Sequence, residues 1–236
     1  MDEQAKQEIA FFGKITAGVT HEMKNILAII GESTGLMQDL LALDNSATAL
    51  CDRLNKALGT IDRQIERGVE LSNRLNRFAH GPDSGICNVD TAEAGEQVSA
   101  LCQRFARLKK VTLDRVPSPS NQAPALWIDP VELQMVLFFA IDCCLSLAPA
   151  DSRIRFCCEN KSGCTFVLAV EDGSQRPSDF TDLLTALPSW HRLEAMAARL
   201  NAGIEPGRQF CGLSLVFPQA PGRPAECSKD QGPKGA

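Results

Sequence analysis

The chain has no excess of positive charge, no CxxC pair and no long uninterrupted apolar run, and each of these absences removes a class of function. A formal net charge of −5 argues against an electrostatic grip on nucleic acid, which needs a basic face to displace counterions from phosphates. No window approaches the roughly 18 consecutive apolar residues expected of a transmembrane helix. The first residues, MDEQAKQE, are charged where a secretory signal would turn apolar, so no membrane span is expected and the cytoplasm is the expected location. The ten cysteines lack zinc-type spacing. The adjacent pairs Cys143-Cys144 and Cys157-Cys158 would point to opposite sides of a strand or about 100° apart on a helix, a poor start for a tetrahedral site. Buried thiols packing as small hydrophobes are the expected state, with Cys227, in a polar tail, the more reactive one.

What is present is patterning. The apolar share of 44% over 236 residues supports real cores, and two modest domains are expected. From Gln4 to about Leu43 no proline interrupts a series in which Ile9, Thr16, Met23, Ile30 and Met37 occupy one core position. Phe12, Val19, Ile26 and Leu40 occupy the other, the register of a coiled-coil-like helix. Residues 43–46 supply helix-stopping and capping types. A second run follows through Leu50, Leu54, Leu58, Ile61, Ile65, Leu71, Leu75 and Phe78 to Gly81-Pro82, which makes an antiparallel hairpin over residues 1–81. One hairpin cannot cover stripes of this length, so a homodimer forming a four-helix bundle is expected.

Beyond a linker at 82–87, the segment 88–218 changes character. It reads as helix 92–109, strand 111–116, a loop at 117–124, strand 125–128 and a helix from Pro130 to Leu147. Strands 153–159 and 165–171, helix 190–200 and strand 212–217 complete a sheet covered by helices on one face, an α+β sandwich. Trp127 and Trp190 are expected to fill the sheet-to-helix interface. Residues 219–236, poor in apolar types, read as a disordered tail.

Of the three histidines, His80 and His191 fall at helix ends with nothing converging on them. His21 differs: the heptad register turns it to the outward face of the first helix, with Glu22 adjacent and Asn25 one turn on. An exposed imidazole of near-neutral pKa is a nucleophile available to a phosphoryl donor.

The run from Phe12 to Ala28, with its small-residue approach, His21-Glu22, a basic Lys24, Asn25 and an apolar continuation, resembles the H-box of sensor histidine kinases. Ile26 stands where many members have proline, which should leave the helix straighter. The resemblance implies that His21 accepts a phosphoryl group, Glu22 serves as its base and Asn25 positions a water for dephosphorylation. It also implies a response-regulator receiver domain as partner.

The second segment resembles the ATP-binding domain of the same family in altered form. At the two N-box positions where the family places asparagines for magnesium and triphosphate stand Phe138 and Asp142. Phenylalanine offers no lone pair to a hard cation. The run Val170 to Pro177 resembles the G1 box. It keeps Asp172, which the family uses on the adenine amino group, but has Ser174 and Arg176 where glycines allow close backbone approach. No counterpart of the glycine-rich lid stands between Ser178 and Leu193. The resulting expectation is a two-component protein that exchanges a phosphoryl group on His21 with receiver aspartates, with phosphatase action through Asn25 a further possibility. Two alternatives stand beside it: an ATP- and magnesium-dependent kinase using Asp142 and Asp172 in a divergent site, and a non-catalytic dimeric adaptor that binds a response regulator.

Overall fold

The computed structural model describes residues 3–42, 47–80, 85–116, 125–160, 163–171 and 176–218. Two long helices, α1 (Glu3–Ala42) and α2 (Ala47–Ala79), pack side by side. They agree with the proline-free periodic runs. The turn expected at 43–46, the loop at 117–124 and the tail at 219–236, with Cys227, lie outside the described residues.

The rest of the chain follows as β1 (Cys87–Asp90), α3 (Thr91–Leu108), β2 (Thr112–Val116), β3 (Ala125–Ile128), α4 (Pro130–Leu147), β4 (Arg153–Asn160), β5 (Gly163–Glu171), α5 (Pro177–Thr185), α6 (Pro188–Arg199), β6 (Gly203–Pro206) and β7 (Cys211–Pro218). Strand β1 starts at Cys87, inside the segment expected as linker. Local chemistry sets the helix starts. Asp90 and Asp129 each accept two backbone N–H groups at the heads of α3 and α4, satisfying donors that have no partner within the helix. Pro130 sits at the head of α4, where its missing N–H costs nothing.

A five-stranded mixed sheet runs in the order β2-β4-β5-β7-β6, and β1 pairs antiparallel with β3 in a separate ribbon. Strand β2 runs parallel to β4, Leu113 opposite Ile154, while the remaining neighbours are antiparallel. Alternation along the strands sends Ile154, Phe156 and Cys158 of β4 inward with Phe166, Leu168, Leu213, Leu215 and Phe217. The other face carries ion pairs such as Arg155 with Glu171 at 3.0 Å and Arg153 with Asp114 at 3.1 Å. Gly212 must be glycine: its φ is +150°, and a Cβ there would lie 1.9 Å from the carbonyl oxygen of Leu168.

One sequence expectation is corrected here. Trp190 is buried, but Trp127 is 42% exposed, because Leu126 and Ile128 take the inward positions of a four-residue strand and the period of two turns Trp127 out. The stretch before the last helix, which carries no pattern of its own in the sequence, folds as α5, started by Pro177. Helix α4 is long and apolar enough to cross a membrane on those two criteria, but 72% of it is buried, the situation of a core helix.

The cysteines follow their burial. Cys102, Cys143, Cys144, Cys158, Cys164 and Cys211 are buried, and Cys51 is exposed. Burial pushes the Cys143 thiol up to about 11 and moves Cys102 and Cys144 higher still. A raised pKa removes thiolate at any given pH. Mass mapping after brief iodoacetamide treatment at pH 8 should therefore find Cys51 modified and these three intact until denaturant is added. In the core, Phe166→Ala, which empties a fully buried site between Phe156 and Phe217, should cost about 3–5 kcal/mol in urea unfolding.

Candidate functional site

Helix α1 presents three chemically different faces. The first is buried against the rest of the chain. Phe11 is 1% exposed and lies edge-on to Phe78 and Phe138, with ring centroids 5.4 and 5.2 Å away, and 6.5 Å from Phe139. One turn on, the Lys14 ammonium donates to Asp142 Oδ1 at 2.9 Å and sits 5.1 and 5.4 Å over the rings of Phe138 and Phe105. Gly18 follows, where a Cβ would meet Phe105 at 3.3 Å. Glu22 and Ile26 complete the buried row.

This row corrects the expected register. Ile9 is 59% exposed, Thr16 is exposed, and Met23 and Ile30 are half-buried; the inward positions belong to Phe11, Ile15, Gly18 and Glu22 together with Val19 and Ile26. The heptad pattern locates the apolar residues of α1 and does not say which partner each meets. Here α3 and α4 compete with α2 for the helix surface.

The energies rank these contacts. An ion pair this exposed contributes about 0–1 kcal/mol. Burying a phenylalanine is worth about 1.5–3 kcal/mol, with about 0.5–1.5 kcal/mol more per well-placed aromatic pair. The aromatic cluster therefore fixes α1 on α4, and Lys14 adds direction.

The consequence falls on two sequence-predicted site residues. Phe138 is 1% exposed beneath Phe11, and Asp142 is engaged by Lys14. The positions that resemble magnesium- and triphosphate-holding asparagines are thus in contact with the chain's own first helix. Asp172 and Ser174 lie outside the described residues, and Arg176 is the residue that precedes α5.

The second face carries His21. The side chain is exposed, as are those of Asn25 one turn further on, Thr20 and Lys24. His21 lines an open groove of about 500 Å³ together with Gly13, Thr16, Ala17, Thr20 and Lys24. Glycine and alanine keep the approach low, and Lys24 supplies a cation beside the imidazole. Such an arrangement leaves a nucleophilic nitrogen accessible to a large partner while neutralising part of an arriving anion's charge.

Glu22 does not join that group. Its Oε1 accepts from Arg107 of α3 at 2.7 Å and from Arg67 of α2, and among the described residues no hydrogen bond links it to His21. Successive helical residues diverge by about 100°, so a residue adjacent to His21 in sequence is turned toward α2 and α3. The expected base is thus the hub at which three helices meet. Neither arginine was singled out from the sequence: they lie 45 and 85 residues from Glu22, and no local pattern reports such a pairing.

His80 follows the end of α2, and His191 Nδ1 lies 3.3 Å from Glu194 on the surface of α6. Among the described residues no group of three or more His, Cys, Asp and Glu side chains could hold a metal ion.

Replacing Glu22 by glutamine removes the charge that both arginines face. Hydrogen bonds to charged groups are worth about 1.5–3 kcal/mol, and the half-exposed arginines regain water, so a loss of about 1–2 kcal/mol is expected in urea unfolding. Phe11→Ala should release the N-terminal half of α1, read as faster amide exchange at residues 8–19 with the β5 and β7 amides unchanged.

No family model matches the chain, and neither does any curated protein. Solved structures do. One is the catalytic domain of histidine kinase ThkA, at 10% identity over 58% of this chain and 99% of that one, with a TM-score of 0.47. Another is histidine kinase AdeS of Acinetobacter baumannii, at 13% identity over 84% of this chain and 98% of that one, with a TM-score of 0.43. A third is ThkA in complex with the response regulator protein TrrA, at 14% identity over 91% of this chain and 64% of that one, with a TM-score of 0.44.

Proposed function

We propose that this chain is a histidine phosphotransfer protein of two-component signalling, working in the cytoplasm. His21 takes a phosphoryl group from the aspartyl phosphate of one receiver domain and returns it to the aspartate of another. The observation that carries this reading is the exposed imidazole in an open groove on a long helix, with Lys24 beside it and small residues around it.

The step is a displacement at phosphorus. An imidazole nitrogen forms the P–N bond, the P–O bond to the receiver's aspartate breaks, and the carboxylate leaves; the reverse transfer restores the free imidazole. Such chemistry asks mainly for alignment and charge neutralisation. Lys24 offers the charge, and Glu22, clamped by Arg67 and Arg107, holds the rotation of α1 that keeps His21 outward. Asn25 would orient a water for dephosphorylation of the receiver.

The third face of α1 supports a homodimer. Ile9 and Leu27, both 59% exposed, are 18 residues apart and so share one angular position on the helix. On α2, the exposed Leu58, Ile65 and Val69 follow one another at steps of seven and four. Two such strips suit a four-helix bundle made from two hairpins.

The ATP-dependent alternative finds less support, since Phe11 and Lys14 occupy the surface of Phe138 and Asp142. Mixing the protein with a radiolabelled phospho-receiver should label it, and His21→Ala, with an unchanged circular dichroism spectrum, should abolish the label. Label acquired from ATP without any receiver would defeat the reading. In light scattering the wild type should run as a dimer, and Ile65→Glu combined with Val69→Glu as a monomer.

A further inference from the structure

A second crevice, of about 230 Å³, opens between α1, α2 and α3 on a face of α1 other than the His21 groove. Arg67 and Arg74 enter it from α2, Arg104 and Arg107 from α3, and the carboxylates on its wall are those of Glu22 and Glu70. The spacings of seven and three place each arginine pair on one side of its helix. Four guanidinium groups thus face two carboxylates, a local surplus of two positive charges in a chain whose net charge is −5.

The internal ion pairs do not consume that surplus. Arg67 and Arg107 share a single oxygen of Glu22, and Arg74 pairs with Glu70 in its own helix. Arg104, half-buried on the same wall, has no ion pair among the described residues. Holding four like charges around a part-enclosed space costs free energy that a bound anion would recover.

The rest of the wall narrows the chemistry. Val19, Leu71 and Leu101 line the crevice beside the arginines, an apolar surface with nothing to offer a bare inorganic ion. The planar fork of arginine matches phosphate oxygens in pairs. We propose that this crevice binds a small organic phosphate, its phosphate on Arg74 and Arg104 and its organic part on the apolar wall. A ligand seated there touches the hairpin and α3 at once, so it stabilises the arrangement of α1 against the second half of the chain.

The site goes beyond the phosphotransfer reading and does not involve the His21 imidazole. Isothermal titration at fixed ionic strength, with ADP, inorganic phosphate and sulfate as separate probes, tests it. The expected result is saturable one-to-one binding of ADP, with inorganic phosphate at least tenfold weaker. Arg104→Gln and Arg74→Gln should each weaken ADP at least tenfold, Arg104→Lys should weaken it less, and His21→Ala and Asp142→Asn should leave it unchanged. The two glutamine variants leave Glu22 paired and act independently, so either one suffices if the other fails to fold.

Absence of saturable ADP binding overturns the proposal. So does binding that survives both glutamine variants or falls in Asp142→Asn, which would place the nucleotide elsewhere. Equal binding of sulfate, phosphate and ADP, meaning an adventitious ion only, overturns it as well. Because His21→Ala is scored here by ligand binding and earlier by label transfer, failure of one reading leaves the other standing or falling by its own measurement.

Discussion

The placement of α1 against the rest of the chain depends on the contact of Phe11 with Phe78, Phe138 and Phe139. A helix as long as α1 can bury only one stripe against a single neighbour, and here two neighbours compete for it. The sandwich offers a phenylalanine-lined surface on α4 flanked by Phe105 of α3, and burying aromatic area there outweighs what a half-exposed ion pair could supply. Once Phe11 is seated, the 100° step of the helix assigns every other residue. Glu22 falls inward between α2 and α3, His21 falls outward, and the Ile9 and Leu27 strip faces neither.

That single rotation links packing to chemistry. The exposure of the His21 imidazole is a consequence of where Phe11, Ile15 and Glu22 go, and the Glu22 carboxylate reinforces the choice by tying together Arg67 and Arg107. A buried carboxylate without partners would be costly, so the two arginines are what permits an acid on the inward face at all. The same arginines leave a positive crevice on the far side of the helix. Helix α1 therefore presents the His21 imidazole on one face and, on another, lines a crevice into which α2 and α3 send their guanidinium groups.

The second half of the chain supplies the surface that receives α1. Phe138 and Asp142 of α4 are each in contact with α1, the first with Phe11 and the second with Lys14. The Phe138 ring forms the surface on which Phe11 packs. The cation-π contacts of Lys14 with Phe105 and Phe138 extend the same face.

Local signals were strong enough to be read directly. The two long helices are written in the proline-free periodicity around Ile9 to Leu40 and Leu50 to Phe78, helix α4 in Asp129-Pro130, and the β4–β5 pair in alternation, because these features act over a few residues. The outward placement of His21 was legible for the same reason, although through a register whose inward row proved different. Short elements without a pattern of their own, β1, α5 and β6, escaped notice, and Trp127 was misplaced because four residues of strand give alternation too little to work with. Only the tertiary structure decided which stripe of α1 is buried, that Glu22 belongs to Arg67 and Arg107, and that Lys14 meets Asp142. Those pairings join residues 45, 85 and 128 positions apart, and contacts over such separations are selected by competition among whole surfaces, which a run of neighbouring residues does not encode.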